Sequence, residues 1–224
     1  MAPTSTALYE IENGYDIDDL KQRISDIVLE RQTPELGDPI RTRFDGVTDT
    51  DTGFSSTIVF ELPEKKTTWE GVEYQPVRKQ VNLRFTDAIG DGGILVIGKS
   101  DLHTKIESRL IDLFEIEPDE IEKVDIRTDH IKSILEDDRL IESRATYKSV
   151  DENTSSASLA GALEESETAE RFDEHGNKVW VIYESTSFER KIGISAKNSA
   201  VVFYGNWESD EMARYWRRIV LHHV

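Results

Sequence analysis

Apolar residues in this chain recur at two periods, and the alternation between those periods divides it into elements. From Asp16 to Arg31, Leu20, Ile24, Ile27 and Val28 fall on one helical stripe behind first-turn acids, so a helix is predicted there. Thr33, Pro34, Gly37 and Pro39 end it. Three extended segments follow. Ile40–Phe44 alternates apolar and polar residues, and Thr57–Leu62 places Ile58, Phe60 and Leu62 on one face. Val77–Thr86 places Val77, Val81, Leu83 and Phe85 on one face and Arg78, Gln80, Asn82 and Arg84 on the other. A turn over residues 89–93 leads to the strand Ile94–Ile97. Ser100 and Asp101 are placed to cap a second helix, with Leu102, Ile106, Leu110, Leu113 and Phe114 at helical spacing.

The second half repeats this order. Asp129–Asp137 reads as a short helix and Leu140–Lys148 as a strand. Ser149–Thr168 is polar and Ser-rich, and is expected to be a loop or insert with one helical turn at most. Glu170–Phe172 and Lys178–Glu184 read as strands flanking a hairpin turn over residues 173–178. Arg190–Ser195 and Ala200–Tyr204 read as two more strands. Ser209 and Asp210 then cap a last helix whose inner face carries Met212, Trp216, Ile219, Val220 and His223. Helix, antiparallel strands and helix thus occur twice, over residues 1–118 and 119–224. Arg78–Phe114 and Arg190–His223 both read strand, turn, strand, helix. That order points to an internal duplication, with convergence on a common α+β pattern as the alternative.

Charge changes the picture. The chain of 224 residues carries 45 Asp and Glu against 27 Lys and Arg, a formal charge of −18. The acids are spread along the chain rather than gathered in one tract, which favours adaptation to molar salt over mimicry of nucleic acid. In such salt the Debye length shrinks to about 3 Å and self-repulsion is screened. Cysteine is absent, which excludes disulfides and thiolate chemistry. The opening MAPTSTALYEIENGYD has neither a basic nor an apolar leader region, and no apolar run approaches the roughly 18 residues of a membrane helix. A soluble protein without membrane contact is expected, cytoplasmic by default.

The repeated unit resembles the TATA-binding protein family. The carrying residues are Leu83-Arg84-Phe85-Thr86, the Gly-rich turn, Ile94-Leu95-Val96-Ile97-Gly98-Lys99-Ser100 and the helix after them. Gly53-Phe54-Ser55-Ser56-Thr57-Ile58-Val59 is similar to the strand that supplies a partner phenylalanine, and Lys178-Val179-Trp180-Val181-Ile182-Tyr183 stands in the corresponding place of the second half. The resemblance implies an α+β fold of two pseudo-symmetric helix–antiparallel-sheet–helix halves. They would form one saddle-like curved sheet, with helices on one face and DNA on the other. It implies phenylalanine wedges in the minor groove. Phe54 and Phe85 match such positions, whereas Ile194 stands where the second half would repeat Phe85. On a regular strand, Phe85 and the polar row Arg78, Gln80, Asn82, Arg84 cannot share a face. Either the polar row meets DNA or the phenylalanines do. A divergent member of the fold superfamily, reading phosphates and base edges, fits the polar row.

Other motifs weigh less. Gly93-Ile-Leu-Val-Ile-Gly98-Lys99-Ser100 matches the phosphate-loop spacing, but its four middle residues read as a buried strand. Lys99 and Ser100 remain a generic anion site at a helix start. The five histidines lack ligand spacing, so no metal is expected. No Gly-x-Ser-x-Gly or other catalytic arrangement stands out. The expectation is a non-enzymatic protein without cofactor. It would use Arg41, Arg43, Arg78, Gln80, Asn82, Arg84, Arg144 and Lys148 on a basic sheet face. Its partner would be double-stranded DNA or a DNA-bound protein. The alternatives are an adaptor or homodimer using the same sheet, and a phosphate-ligand enzyme at Gly93–Ser100.

Overall fold

A computed structural model describes residues 2–69, 71–87, 89, 92–150 and 154–224. Among them lie twelve strands and five α-helices. They divide into two compact units, Tyr9–Glu122 and Met1–Leu8 with Lys123–Val224. Strand β1 (Thr4–Ile11) opens the chain and contributes to both. None of the described helices is long and apolar enough to cross a membrane.

The unit Tyr9–Glu122 is a meander between two helices. Helix α1 (Ile17–Arg23) is capped by Asp16, whose side chain accepts from the Asp19 amide at 2.8 Å. It is shorter than the predicted Asp16–Arg31 helix. After a 3₁₀ turn at Ile24–Asp26, the chain straightens into β2 (Val28–Arg31), paired from Val28↔Arg43 to Arg31↔Ile40. The β-branched Ile27-Val28 pair tolerates either conformation, and strand pairing decides it. Then follow β3 (Ile40–Thr50), β4 (Gly53–Thr68), β5 (Gly71–Thr86), β6 (Gly93–Gly98), α2 (Ser100–Phe114) and the short β7 (Ile121–Lys123). Strands β2 to β6 pair in sequence order, all antiparallel. Gly90 and Asp91 of the predicted turn lie outside the described residues.

One face of this sheet is packed. Phe54 and Phe85 are opposite residues on β4 and β5, both fully buried, and stack at 4.7 Å. Tyr15 stands edge-on to Phe85 at 6.1 Å and also meets Phe114 of α2. The α2 stripe of Leu102, Ile106, Leu110 and Leu113 is buried as predicted, and the Arg109 guanidinium lies over the Phe60 ring at 4.5 Å. Gly53 is required where β4 begins. Its φ is +139°, and a Cβ there would run into the Phe85 carbonyl oxygen.

Strands β4 and β5 are each sixteen residues long, far beyond the predicted Thr57–Leu62 and Val77–Thr86. Their register runs unbroken from Gly53↔Thr86 to Thr68↔Gly71, and Pro63 faces Pro76 across it. Pairing with β3 runs to Phe60 and pairing with β6 to Asn82, so the distal part is a two-stranded arm. Proline argues against a strand in sequence, but in a ribbon each strand has a free outer edge where no N–H donor is needed.

The second unit begins with helix α3 (Thr128–Asp138), which buries Ile131, Ile134 and Leu135. Then come β8 (Arg139–Lys148), β9 (Ser156–Ala160), α4 (Glu167–His175), β10 (Asn177–Ser185), β11 (Lys191–Ser195), β12 (Ala200–Phe203) and α5 (Ser209–Tyr215). The last helix continues as a π turn over Trp216–Val220. Strand order is β9, β8, β10, β11, β12, and Thr4–Thr6 of β1 pairs with β12.

Several predictions fail in this unit. Glu170–Phe172 is helical within α4, not extended. Ser166 caps that helix by accepting from the Ala169 amide at 3.3 Å, and Ala169 and Phe172 pack on the Tyr147 cluster. The predicted hairpin turn at 173–178 is therefore the end of α4 and the start of β10. The loop Ser149–Thr168, whose residues 151–153 lie outside the described set, contains strand β9. At α5 the cap is Glu208, in a reciprocal box with Glu211, one residue before the predicted Ser209.

Candidate nucleic-acid interface

In the first unit the register assembles the predicted polar residues on the face opposite Phe54 and Phe85. Arg41 donates its amide to Glu61 at 3.0 Å, and Glu61 stands opposite Arg78. Arg43 is aligned with Val59 and then Gln80. The Thr57 hydroxyl donates to Asn82 at 2.9 Å. Arg41, Arg43, Arg78, Gln80 and Asn82 are all exposed. The choice between two faces is thereby made: the phenylalanines lie with the helices and the polar row is open.

Arg84 departs from this row. It is 1 % exposed and donates to the Thr52 hydroxyl at 3.1 Å. Burial pulls its pKa below the usual arginine value, against the opposing field of Asp51. Arg84 is therefore withdrawn from solvent, unlike the five residues it was expected to join. Arg41 and Arg43 are exposed but ion-paired, to Glu30 and Asp45, each at 3.0 Å. Among the described residues, Arg78 has no carboxylate at ion-pair distance.

In the second unit Arg144 and Lys148 are exposed on one face of β8, and neither has an ion-pair partner among the described residues. That face carries a feature that charge-based reading of the sequence passes over. The register aligns Arg144 with Ile182, Gly193 and Val202, and aligns Thr146 with Trp180 and Ser195. Trp180, Ile182, Val202 and Tyr204 are half-buried, while Val181, Tyr183, Val201 and Phe203 between them are fully buried. Trp180 and Ile182 alternate with Val181 and Tyr183, but every position is apolar, so alternation alone could not separate the open row from the covered one.

Lys99 and Ser100 are exposed at the start of α2, while Gly93–Gly98 is a strand whose Gly93–Ile97 pair with β5. The backbone of the phosphate-loop-like segment is thus engaged in a ladder rather than arched around an anion. No group of three His, Asp or Glu that would hold a metal occurs among the described residues. His223 instead faces Asp137 at 3.0 Å. A cavity of about 880 Å³ lies between α3, α4 and the start of β8. On its wall the Lys178 ammonium donates to both Glu142 oxygens at 2.9 Å and contacts Asp173 at 2.9 Å. Arg139 meets Glu142 at 3.2 Å. These charges satisfy one another.

No protein-family model and no characterised protein matches this chain.

Proposed function

We propose that the protein is a non-enzymatic DNA-binding or DNA-associated regulatory protein that works through the open faces of its sheets. The observation that carries this reading is the cluster of Arg41, Arg43, Arg78, Gln80 and Asn82, exposed on β3 and β5 on either side of β4 in a chain whose net charge is −18. Arg78 supplies an unpaired cation for phosphate, and Gln80 and Asn82 supply amides for base edges. Arg144 and Lys148 play the phosphate role on the second unit. Element order supports a divergent TATA-binding-protein-like fold: α1, β3 to β6 and α2 have a counterpart in α3, β8, β10 to β12 and α5. A saddle of two pseudo-symmetric halves belongs to this proposal.

Fluorescence anisotropy with a labelled duplex tests it, run from molar to sub-molar KCl with the fold followed by circular dichroism. Binding should strengthen as salt falls, and R78A/R144A should lower the slope of log affinity against log salt by about 2. Absence of duplex binding at every salt where the protein stays folded overturns it. A second reading, an adaptor that binds protein through the same faces, is favoured by the pairing of Arg41 and Arg43 with Glu30 and Asp45. It predicts affinity for a protein partner and none for the duplex.

A further inference from the structure

We infer that Trp180 and Tyr204 form a stacking platform for an unpaired nucleobase, so that the second unit takes single-stranded nucleic acid. The geometry centres on Gly193. A Cβ at that position would lie 2.7 Å from one Trp180 ring carbon, 3.1 Å from another and 3.4 Å from the Tyr204 ring. The two aromatic rings therefore converge over a stretch of strand that has no side chain. Trp180 reaches it from β10 and Tyr204 from just past β12. The Cη2 and Cζ2 atoms of the Trp180 ring lie over Gly193. The residue is half-buried on the open face, with Ile182 and Val202 beside it.

The surroundings select the ligand. Arg144 lies close enough to Tyr204 that its charge opposes the rise in the phenol's pKa caused by burial. Lys148 follows on the same strand face, and Lys191 is exposed at the start of β11. Hydroxyls of Thr146 and Ser158, 2.9 Å apart, line the flank. Glu184, opposite Lys191, is the acid aligned with this row. An aromatic shelf bordered by three cations, none ion-paired among the described residues, matches a strand of bases with its phosphates. Duplex bases are already stacked on one another and would have to be extruded to use the shelf. The choice of nucleic acid rests on the function proposed above, whereas the geometry of the shelf does not.

Trp180 can be observed directly. Of the four tryptophans, Trp207 and Trp216 are buried, and Trp69 is removed by W69F. The W69F protein is titrated with a dT oligonucleotide, an abasic oligomer of equal length, and a duplex. The dT strand should quench Trp180 emission and the abasic strand should not. W180A should weaken dT binding about tenfold, the scale of one lost stacking contact, while W180F keeps most of it and controls for folding. Equal binding of dT and abasic strands, or dT affinity unaffected by W180A, overturns the platform. If duplex binding survives that result, the platform alone is refuted. If no nucleic acid binds folded protein, the proposed function falls with it.

Discussion

Raising the pH above 10 is the most direct perturbation of the interior, because four tyrosines are fully buried. Tyr9, Tyr147, Tyr183 and Tyr215 have no exposed surface. Tyr9 donates to the His103 carbonyl at 3.0 Å, and Tyr183 lies between Asp138, at 3.3 Å, and the Tyr215 hydroxyl. Burial is the leading cause that pushes all four phenols well above their ordinary range. The nearby carboxylates Glu107, Asp173 and Asp138 add to it. A phenol is an acid whose folded pKa here exceeds its unfolded value of about 10. Below pH 10 both states hold the proton and the full stability is present. Above pH 10 the unfolded chain releases it and the native protein cannot, so stability is lost as pH rises. Each tyrosine then costs about 1.4 kcal/mol at pH 11, and the four together about 6 kcal/mol. Typical stability is only about 5–15 kcal/mol. Unfolding is therefore expected between about pH 11 and pH 13. Absorbance at 295 nm and far-ultraviolet circular dichroism, followed together at fixed high salt, should show one steep coincident transition. Y183F/Y215F removes two of the raised phenols and should make the loss of stability with pH clearly less steep, with burial-raised Tyr15 and Tyr204 still contributing alongside Tyr9 and Tyr147. Gradual ionisation of all seven tyrosines around pH 10 with secondary structure intact would refute the reasoning.

Other parts of the fold give equally specific expectations. K178M and E142L should each cost about 2 kcal/mol, since each removes the buried Lys178–Glu142 contact while Glu142 keeps Arg139 and Lys178 keeps Asp173, and the double variant should cost clearly less than their sum; additive urea-denaturation results would show that the pair is not coupled. F54A should cost about 4 kcal/mol by opening a cavity beside Phe85, and G53A should also destabilise through backbone strain, both read as shifts in denaturation midpoint. W69S should change stability by less than about 0.5 kcal/mol, because Trp69 at the arm tip is fully exposed; a clear fall in melting temperature would mean that the arm is packed in solution.

Much of the fold could be read from period alone, and the misses have definite causes. The stripe of α2 and the inner row of β5 were legible because apolar residues sit at one period and charged residues fill the rest. Helix α1 was overrun because Ile27 and Val28 continue a helical stripe while also fitting a strand, and only pairing with β3 resolves them. Helix α4 was missed because its nine residues contain a single fully buried position, Ala169, too few to set a period. Strands β4 and β5 were cut short at Pro63 and Pro76, since the sequence does not reveal that their outer edges stay free.

The candidate site was legible in the same uneven way. Alternation separates two rows on a strand but does not say which row is covered, and the packed phenylalanine pair supplies that answer for β5. Nor does it register the change along the row by which Arg78 is open and Arg84 enclosed. In the second unit alternation fails altogether, because both rows of β10 are apolar. What marks the open row there is a broken local rule: a glycine in mid-strand, which weakens a sheet unless something lies over it. Gly193 has Trp180 and Tyr204 over it. The arm breaks a rule as well, with prolines within strands and an indole in water. Such conflicts between local preference and global placement are expected where a surface serves a partner rather than the fold. Arg78, Trp180 and Trp69 are therefore better guides to function than the larger and more regular acidic surface around them.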